Sequence, residues 1–305
     1  MRIFIVLFLA ATVGAANAQQ FEYRGLCEAS GAAALDDSHF AVASDETNVI
    51  QIYKRGDRDP KGELDVEDFT TFDKSDIEGA ARIGSRVYWI SSHSLNKEGR
   101  DRPKRKVLFA TDIIAGTGAP RLKTVGKPYT GLRDALIAAA GVARETLNIE
   151  GLAATGDGGL LIGLRAPLVD GKAIVVQLKN PKAIIEATAA APVSPNFGKA
   201  VPLKLDGFGI RSIERVGTGD RQFLISAGPV KDSAEPFRLY WWSGRDDDPP
   251  KPVAAGINLA GIKPEALISF GDATRFLVLS DDDDICSDEK APEKRRFRAR
   301  EIVIP

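Results

Sequence analysis

Short apolar runs alternate with Gly- and Asp-rich breaks along this chain, and the same arrangement returns from Ser30 to Asp45, Glu78 to His93, Glu150 to Arg165, Ser212 to Ala227 and Glu265 to Ser280. Each unit is an apolar run, a break and a second apolar run, which is the signature of a β-hairpin. The turns centre on Asp37-Ser38, Ser85-Arg86, Asp157-Gly158, Gly219-Asp220 and Asp272-Ala273, and the fourth unit is degenerate. Residues equidistant from a turn face each other across the strands. The spacing therefore predicts Glu78 near His93, Glu150 near Arg165, Glu265 near Ser280 and Ser30 near Asp45, all at the hairpin end away from the turn.

Bulkier runs follow the hairpins at Asn48 to Tyr53, Lys106 to Thr111, Lys172 to Leu178 and Pro236 to Trp242, in the position of a third strand. The first strands are rich in Ala, and Gly follows both Glu78 and Glu150. A residue without Cβ lets backbones approach closely, as strands converging on a narrow axis require. A hairpin, a third strand and a weaker fourth strand, repeated at intervals, is the order of β-propeller blades. The fold expected is an all-β propeller with five visible blade repeats and room for a sixth. A β-sandwich is the alternative, but it leaves the repeated hairpins unexplained. Gly131 to Val142 has helical periodicity and reads as a helix inserted between blades; Lys182 to Ala190 reads as a second short helix.

The apolar run Ile3 to Val13 follows Met1-Arg2 and precedes Ala16-Asn17-Ala18, the pattern of a secretory signal peptide over residues 1–18. The run is short for a membrane span, and no other apolar stretch matches it. Residues 19–305 are then expected to form one propeller domain, in the periplasm or secreted, with no stable membrane insertion. Gln19 stands where a lipid-modified Cys would be needed. The two cysteines, Cys27 and Cys286, lie near opposite ends of the mature chain. Export permits a disulfide, and in a closed ring the first and last blades are neighbours, so a Cys27–Cys286 bridge would staple the seam. A last strand around Arg300 to Ile304 would complete a blade with N-terminal strands. The formal net charge of −1 gives no support for nucleic-acid binding, and the basic run Arg100 to Lys106 lacks interleaved aromatics.

Asp45-Glu-Thr-Asn, Asp76-Ile-Glu-Gly-Ala, Ser91-Ser-His-Ser, Asn148-Ile-Glu-Gly-Leu and Leu161-Ile-Gly-Leu-Arg-Ala-Pro together resemble the bacterial family called domain of unknown function 3616, over nearly the whole mature chain. That resemblance implies no settled activity. A more distant resemblance, through the Glu-Gly hairpins, is to phytase-like esterase propellers; it implies a propeller and transfers no catalytic residue.

Candidate chemistry gathers at the shared hairpin end: Asp45, Glu46, Glu78, His93, Glu150, Arg165 and Glu265, with Asp281 adjacent. Such a ring suits a polar ligand or a cation. Asp45, Glu78, Glu150 and Asp281 are oxygen donors appropriate to Ca2+ or Mg2+, whereas Arg165 and His93 suit an anion, such as a phosphate-containing ligand or an acidic sugar. Blade packing offers a purely structural reading, in which the Glu residues accept backbone hydrogen bonds and Arg165 simply pairs with Glu150. His39, beside a turn, reads as a surface residue. Ser91, Ser92 and Ser94 flank His93, but strand neighbours do not make a triad, and no Gly-x-Ser-x-Gly elbow is present. Asp281 to Asp284 and Asp246 to Asp248 read equally well as solvated loops, and Trp241-Trp242 as packing residues. Phosphate-loop, nicotinamide, haem and structural-zinc patterns are absent from the sequence. The function expected is a propeller binding a polar small molecule or cation in its central channel, or acting as a scaffold. The alternative is a metal-assisted phosphoester or ester hydrolase. There Asp45, Glu78 and Glu150 would hold the metal, His93 or Glu46 would orient water, and Arg165 would stabilise negative charge. A protein partner on the outer faces is a third reading.

Overall fold

The computed structural model describes residues 20–231, 233, 236–254, 256–286 and 291–304. The signal peptide expected over residues 1–18 lies outside them. Five four-stranded antiparallel sheets make up the fold. Strand β1 (Gln20–Arg24) comes first but belongs to the last sheet. Blade 1 is β2 (Gly31–Ala34), β3 (His39–Ala43), β4 (Val49–Lys54) and β5 (Gly62–Asp65). Blade 2 is β6 (Ile77–Ile83), β7 (Arg86–Ser91), β8 (Leu108–Ile114) and β9 (Arg121–Tyr129). Blade 3 is β10 (Asn148–Ala154), β11 (Leu160–Ala166), β12 (Ala173–Leu178) and β13 (Phe197–Leu203). Blade 4 is β14 (Gly209–Arg215), β15 (Phe223–Gly228), β16 (Arg238–Trp242) and β17 (Lys251–Pro252). Blade 5 is β18 (Pro264–Ser269), β19 (Arg275–Ser280) and β20 (Arg296–Val303), with β1 as its outer strand.

The first strands of the blades touch in the order β2, β6, β10, β14, β18 and back to β2, so the ring is closed with five blades and no sixth. The expected closure by C-terminal and N-terminal strands is present: Tyr23 pairs with Phe297 across β1 and β20. The Cys27–Cys286 disulfide spans the same seam, with a Cα–Cα distance of 5.6 Å. Apolar side chains from facing blades form a layer in each gap, for example Trp89, Phe109 and Ile52 between blades 1 and 2. The middle strands are thus covered on both faces. That is why Phe40 to Ala43 reads as a continuous apolar run rather than as an alternation.

The inserted helix is Leu132–Ala140, and it lays Leu132, Leu136 and Ala140 on the layer between blades 2 and 3. Gly141 ends it in the left-handed conformation, φ 66°. The second predicted helix is shorter than expected, Pro181–Ile185. Among the described residues, no helix is long and apolar enough to cross a membrane.

Gly79 and Gly151 stand where the inner strands crowd. A Cβ on Gly79 would lie 2.9 Å from Leu152 Cβ, and one on Gly151 would lie 2.8 Å from Ile210 Cγ2. Around the axis between Glu78, Glu150, Ser212 and Leu267 the strands leave a space of only about 10 Å3. Larger cavities lie on either side of this narrow stretch, one at each mouth.

Candidate functional site

In four of the five blades the position before the inner-strand Gly or its equivalent is special in the backbone. The ladder pairs Ile77 with Ser91 and then Gly79 with Ile90, leaving Glu78 as an extra residue. The same slip leaves Glu150 between Ile149 and Gly151, Arg211 between Ile210 and Ser212, and Glu265 between Pro264 and Ala266. A β-bulge re-aims the side chain it carries, and here four bulges in four blades direct charged residues to one mouth. The expected approach of Glu78 to His93 does not occur: Ile83 pairs with Arg86, so the turn is Gly84-Ser85 rather than Ser85-Arg86, and His93 lies beyond the last paired residue, Ser91.

Three bulge residues pair with one another. Arg211 Nε is 2.9 Å from Glu150 Oε2, and the same guanidinium binds both carboxylate oxygens of Glu265. Arg165 Nη1 donates to Glu150 Oε1 at 2.9 Å, as the hairpin spacing predicts. Arg165 also donates through Nε to the Val230 carbonyl. Glu150, Arg211 and Glu265 are all buried, and buried charges persist when paired in this way. Arg211 was not anticipated. In the degenerate fourth repeat the Glu position is taken by an Arg, one residue before Ser212, so the repeat pattern does not mark it.

Among the described residues Glu78 makes no such ion pair and instead faces an acidic corner. One ligand-capable oxygen from each of Asp45, Asp76 and Glu78 lies within 4.8 Å of the others, and the same holds for Glu28, Asp45 and Glu46. Asp45 belongs to both trios. Its backbone N–H donates to Ser30 Oγ at 3.1 Å, the contact expected between the ends of the first hairpin. Asp76 sits at φ 53°, a left-handed conformation that suits Asp better than most residues. Its carboxylate accepts from Ser92 Oγ and lies 3.4 Å from Arg105 Nη2. Glu46 is more exposed and pairs with Lys74 at 2.5 Å. Glu28 is carried next to Cys27 and is only 7% exposed. Glu28 Oε2 and Asp45 Oδ1 are buried with no hydrogen-bond partner among the described residues.

Burial, and then the neighbouring Asp45 carboxyl, pushes Glu28 far above the usual carboxylate range. Burial also raises Asp45, with Asp76 adding to the effect. Glu78 is raised by burial and by the charges of Asp45, Asp76 and Glu150. Five carboxyl groups thus meet in one corner with Lys74 and Arg105 as the nearby cations.

Glu28 and Asp76 escaped the sequence reading. Asp76 stands two residues before Glu78 within a motif already noted, whereas Glu28 reaches the corner only through the seam that the disulfide closes. Glu150, Glu265 and Asp281, expected at the same centre, lie outside both trios. Ion pairs occupy Glu150 and Glu265. Asp281 instead lines a cavity of about 600 Å3 at the same mouth, with Arg165, Arg211, Phe237, Leu259 and Lys263. Asp282 is wholly buried and bound to Arg298 and Ser280, a structural role.

His93 is entirely buried, at φ 53°, and both ring nitrogens lack hydrogen-bond partners among the described residues. Burial, reinforced by Arg133 and Lys106, pushes it down to about 3. With no exposed surface, its ring has no direct contact with a ligand at the mouth. His39 is half-buried at its turn and pairs with Asp36 at 2.9 Å. Trp241 and Trp242 are both buried, as packing residues are.

Two solved structures are similar over most of the chain. The crystal structure of glutaminyl cyclase from Myxococcus xanthus is 14% identical, with a TM-score of 0.48, and the similarity covers 94% of this chain and 97% of that one. The PQQ-bound form of aldose sugar dehydrogenase from Streptomyces coelicolor is 10% identical, with a TM-score of 0.43, over 93% of this chain and 99% of that one. At these values neither bears on the activity of this chain. No curated protein matches the sequence. A family model does match, over a stretch that includes Asn148-Ile-Glu-Gly-Leu and Leu161 to Pro167 and is narrower than the resemblance suggested. Residues 141–270 match the model described as a protein of unknown function (DUF3616), so the match to that family is direct over this stretch.

Proposed function

We propose that this protein is an exported β-propeller that binds a divalent cation at one mouth and presents that mouth to a polar ligand. The observation that carries the reading is Asp45, shared by two carboxylate trios, beside the buried and unpartnered Glu28 Oε2. Uncompensated buried carboxylates are costly, and a cation would offset that cost. The donors are all carboxylate oxygens, which favours Ca2+ or Mg2+ over zinc. Carboxylates drawn from separate loops favour Ca2+, which accepts more ligands and looser geometry than Mg2+. The disulfide and the apolar leader support export, in the periplasm or beyond it. The cavity containing Arg165, Lys263 and Asp281 gives the polar ligand a place beside the cation.

Metal-assisted ester or phosphoester hydrolysis draws less support. His93 is fully buried, and Arg165 is engaged by Glu150. Glu46 alone is left to orient water at the cluster. The test is thermal unfolding after chelation, followed by separate addition of Ca2+, Mg2+ and Zn2+. A ligand at about 100 times its dissociation constant stabilises by about 2.7 kcal/mol. Ca2+ should therefore raise Tm by several degrees, and an unchanged Tm with every ion would overturn the reading.

A further inference from the structure

The opposite mouth, at the turn end of the hairpins, holds a second cavity of about 630 Å3. Its inner wall is built from Ala33, Ala34, Ala80, Ala81 and Ala154, small residues of three successive blades. On the fourth blade the wall carries a carboxyl, Glu214. Glu214 Oε1 accepts the backbone N–H of Ser269 at 3.0 Å, which fixes the side chain across the gap to blade 5. Burial pushes Glu214 up to about 8, opposed only by the backbone N–H groups of Ser269 and Arg215; no charged side chain among the described residues contributes.

The other charged groups sharing the cavity are Asp36 and Asp37 from blade 1, Arg82 from blade 2 and Arg215 from blade 4. Arg82 is committed elsewhere, donating to the carbonyls of Gly84, Leu35 and Ala34. Arg215 extends towards the turn of blade 3, its Nη2 lying 3.4 Å from where a Cβ on Gly156 would be. Asp36 is held by its own turn through Ser38 and His39. Among the described residues lining the cavity, blades 3 and 5 present no charge. A carboxyl without a cationic partner among the described residues, beside a methyl-lined wall, in a cavity of ligand size, is complementary to a positive group on a short hydrocarbon stem.

We propose that this vestibule is a binding site for a small organic cation, a primary ammonium on a short methylene chain, with Glu214 as its counter-charge. The site is separate from the divalent-cation corner and does not depend on it. Ammonium binding favours ionised Glu214, so it releases a proton when the carboxyl starts protonated.

The experiment is an NMR titration of the chelated full-length mature protein, carrying 13C-labelled alanine methyl groups, with n-butylammonium chloride. Saturable shifts should appear at the methyl groups of Ala33, Ala80 and Ala154, and n-butanol should produce none. The variant Glu214→Gln keeps an acceptor for the Ser269 N–H and should weaken binding by at least about tenfold, one pKa-unit equivalent of interaction. In wild type alone, affinity should rise about tenfold between pH 6 and 7 and level off above pH 8, because an alkylammonium stays charged below about 10. No saturable shift, equal binding by n-butanol, or affinity flat from pH 6 to 8 would overturn the proposal, as would undiminished binding to a folded Glu214→Gln. The wild-type pH series keeps the test decisive if that variant does not fold.

Discussion

Arg211 Nε lies 2.9 Å from Glu150 Oε2, an ion pair that ties the bulge of blade 4 to the bulge of blade 3. Arg211 also holds Glu265 of blade 5, so one guanidinium links three inner strands around the axis. Arg211→Met would leave two buried carboxylates short of a cation. Removing one partner of a buried pair costs about 3–5 kcal/mol. Denaturant unfolding should show a loss of that size; a loss below about 1 kcal/mol would mean that the charges are solvated.

The acidic corner makes stability depend on pH in a defined direction. Glu28, Asp45 and Glu78 have folded pKa values raised above their ordinary values near 4. The folded protein therefore binds more protons than the unfolded chain once pH exceeds about 4. Their contribution is fully present below that pH and is lost as pH rises towards the folded values. The chelated protein should lose Tm between pH 5 and 8, and saturating Ca2+ should flatten the slope. A chelated Tm that rises through this range would contradict the assignment.

His93 runs the other way. Its folded value near 3 lies below the ordinary 6.5, so its contribution is present above pH 6.5 and is lost as pH falls towards 3. The imidazole should stay neutral from pH 8 to 5. Its Cε1 proton shift in NMR should be flat over that range, and a titration midpoint near 6.5 would place the ring in solvent.

The disulfide closes the ring where blade 5 meets blade 1. Replacing both cysteines with Ser should cost about 2–4 kcal/mol. Hydrogen exchange should then accelerate first in β1 and β20. Uniform acceleration across all blades would show that the seam is not the weak point.

Much of the fold was legible because each blade repeats a hairpin whose turns carry Gly and Asp. The Cys27–Cys286 pairing followed from closure of the ring, and Glu150–Arg165 from distance to the turn. The bulges were not legible. The turn of blade 2 falls one residue earlier than the sequence suggests, at Gly84-Ser85, which puts Glu78 and His93 out of register, and the degenerate fourth repeat hid Arg211. The acidic corner was half visible: Asp45 and Glu78 lie in the repeats and Glu46 directly follows one, but Glu28 belongs to none. Glu214 was hidden because nothing in its sequence neighbourhood marks a carboxyl facing alanines from other blades.

The most direct test of the cation site is calorimetric titration of the chelated protein with Ca2+, in wild type and in Asp45→Asn. Asp45 belongs to both carboxylate trios, and the variant removes its charge while keeping its shape. Saturable binding in wild type, weakened at least about a hundredfold in Asp45→Asn, equivalent to about 2.7 kcal/mol, is the predicted result. Absence of binding in wild type, or equal affinity in the two proteins, would contradict it.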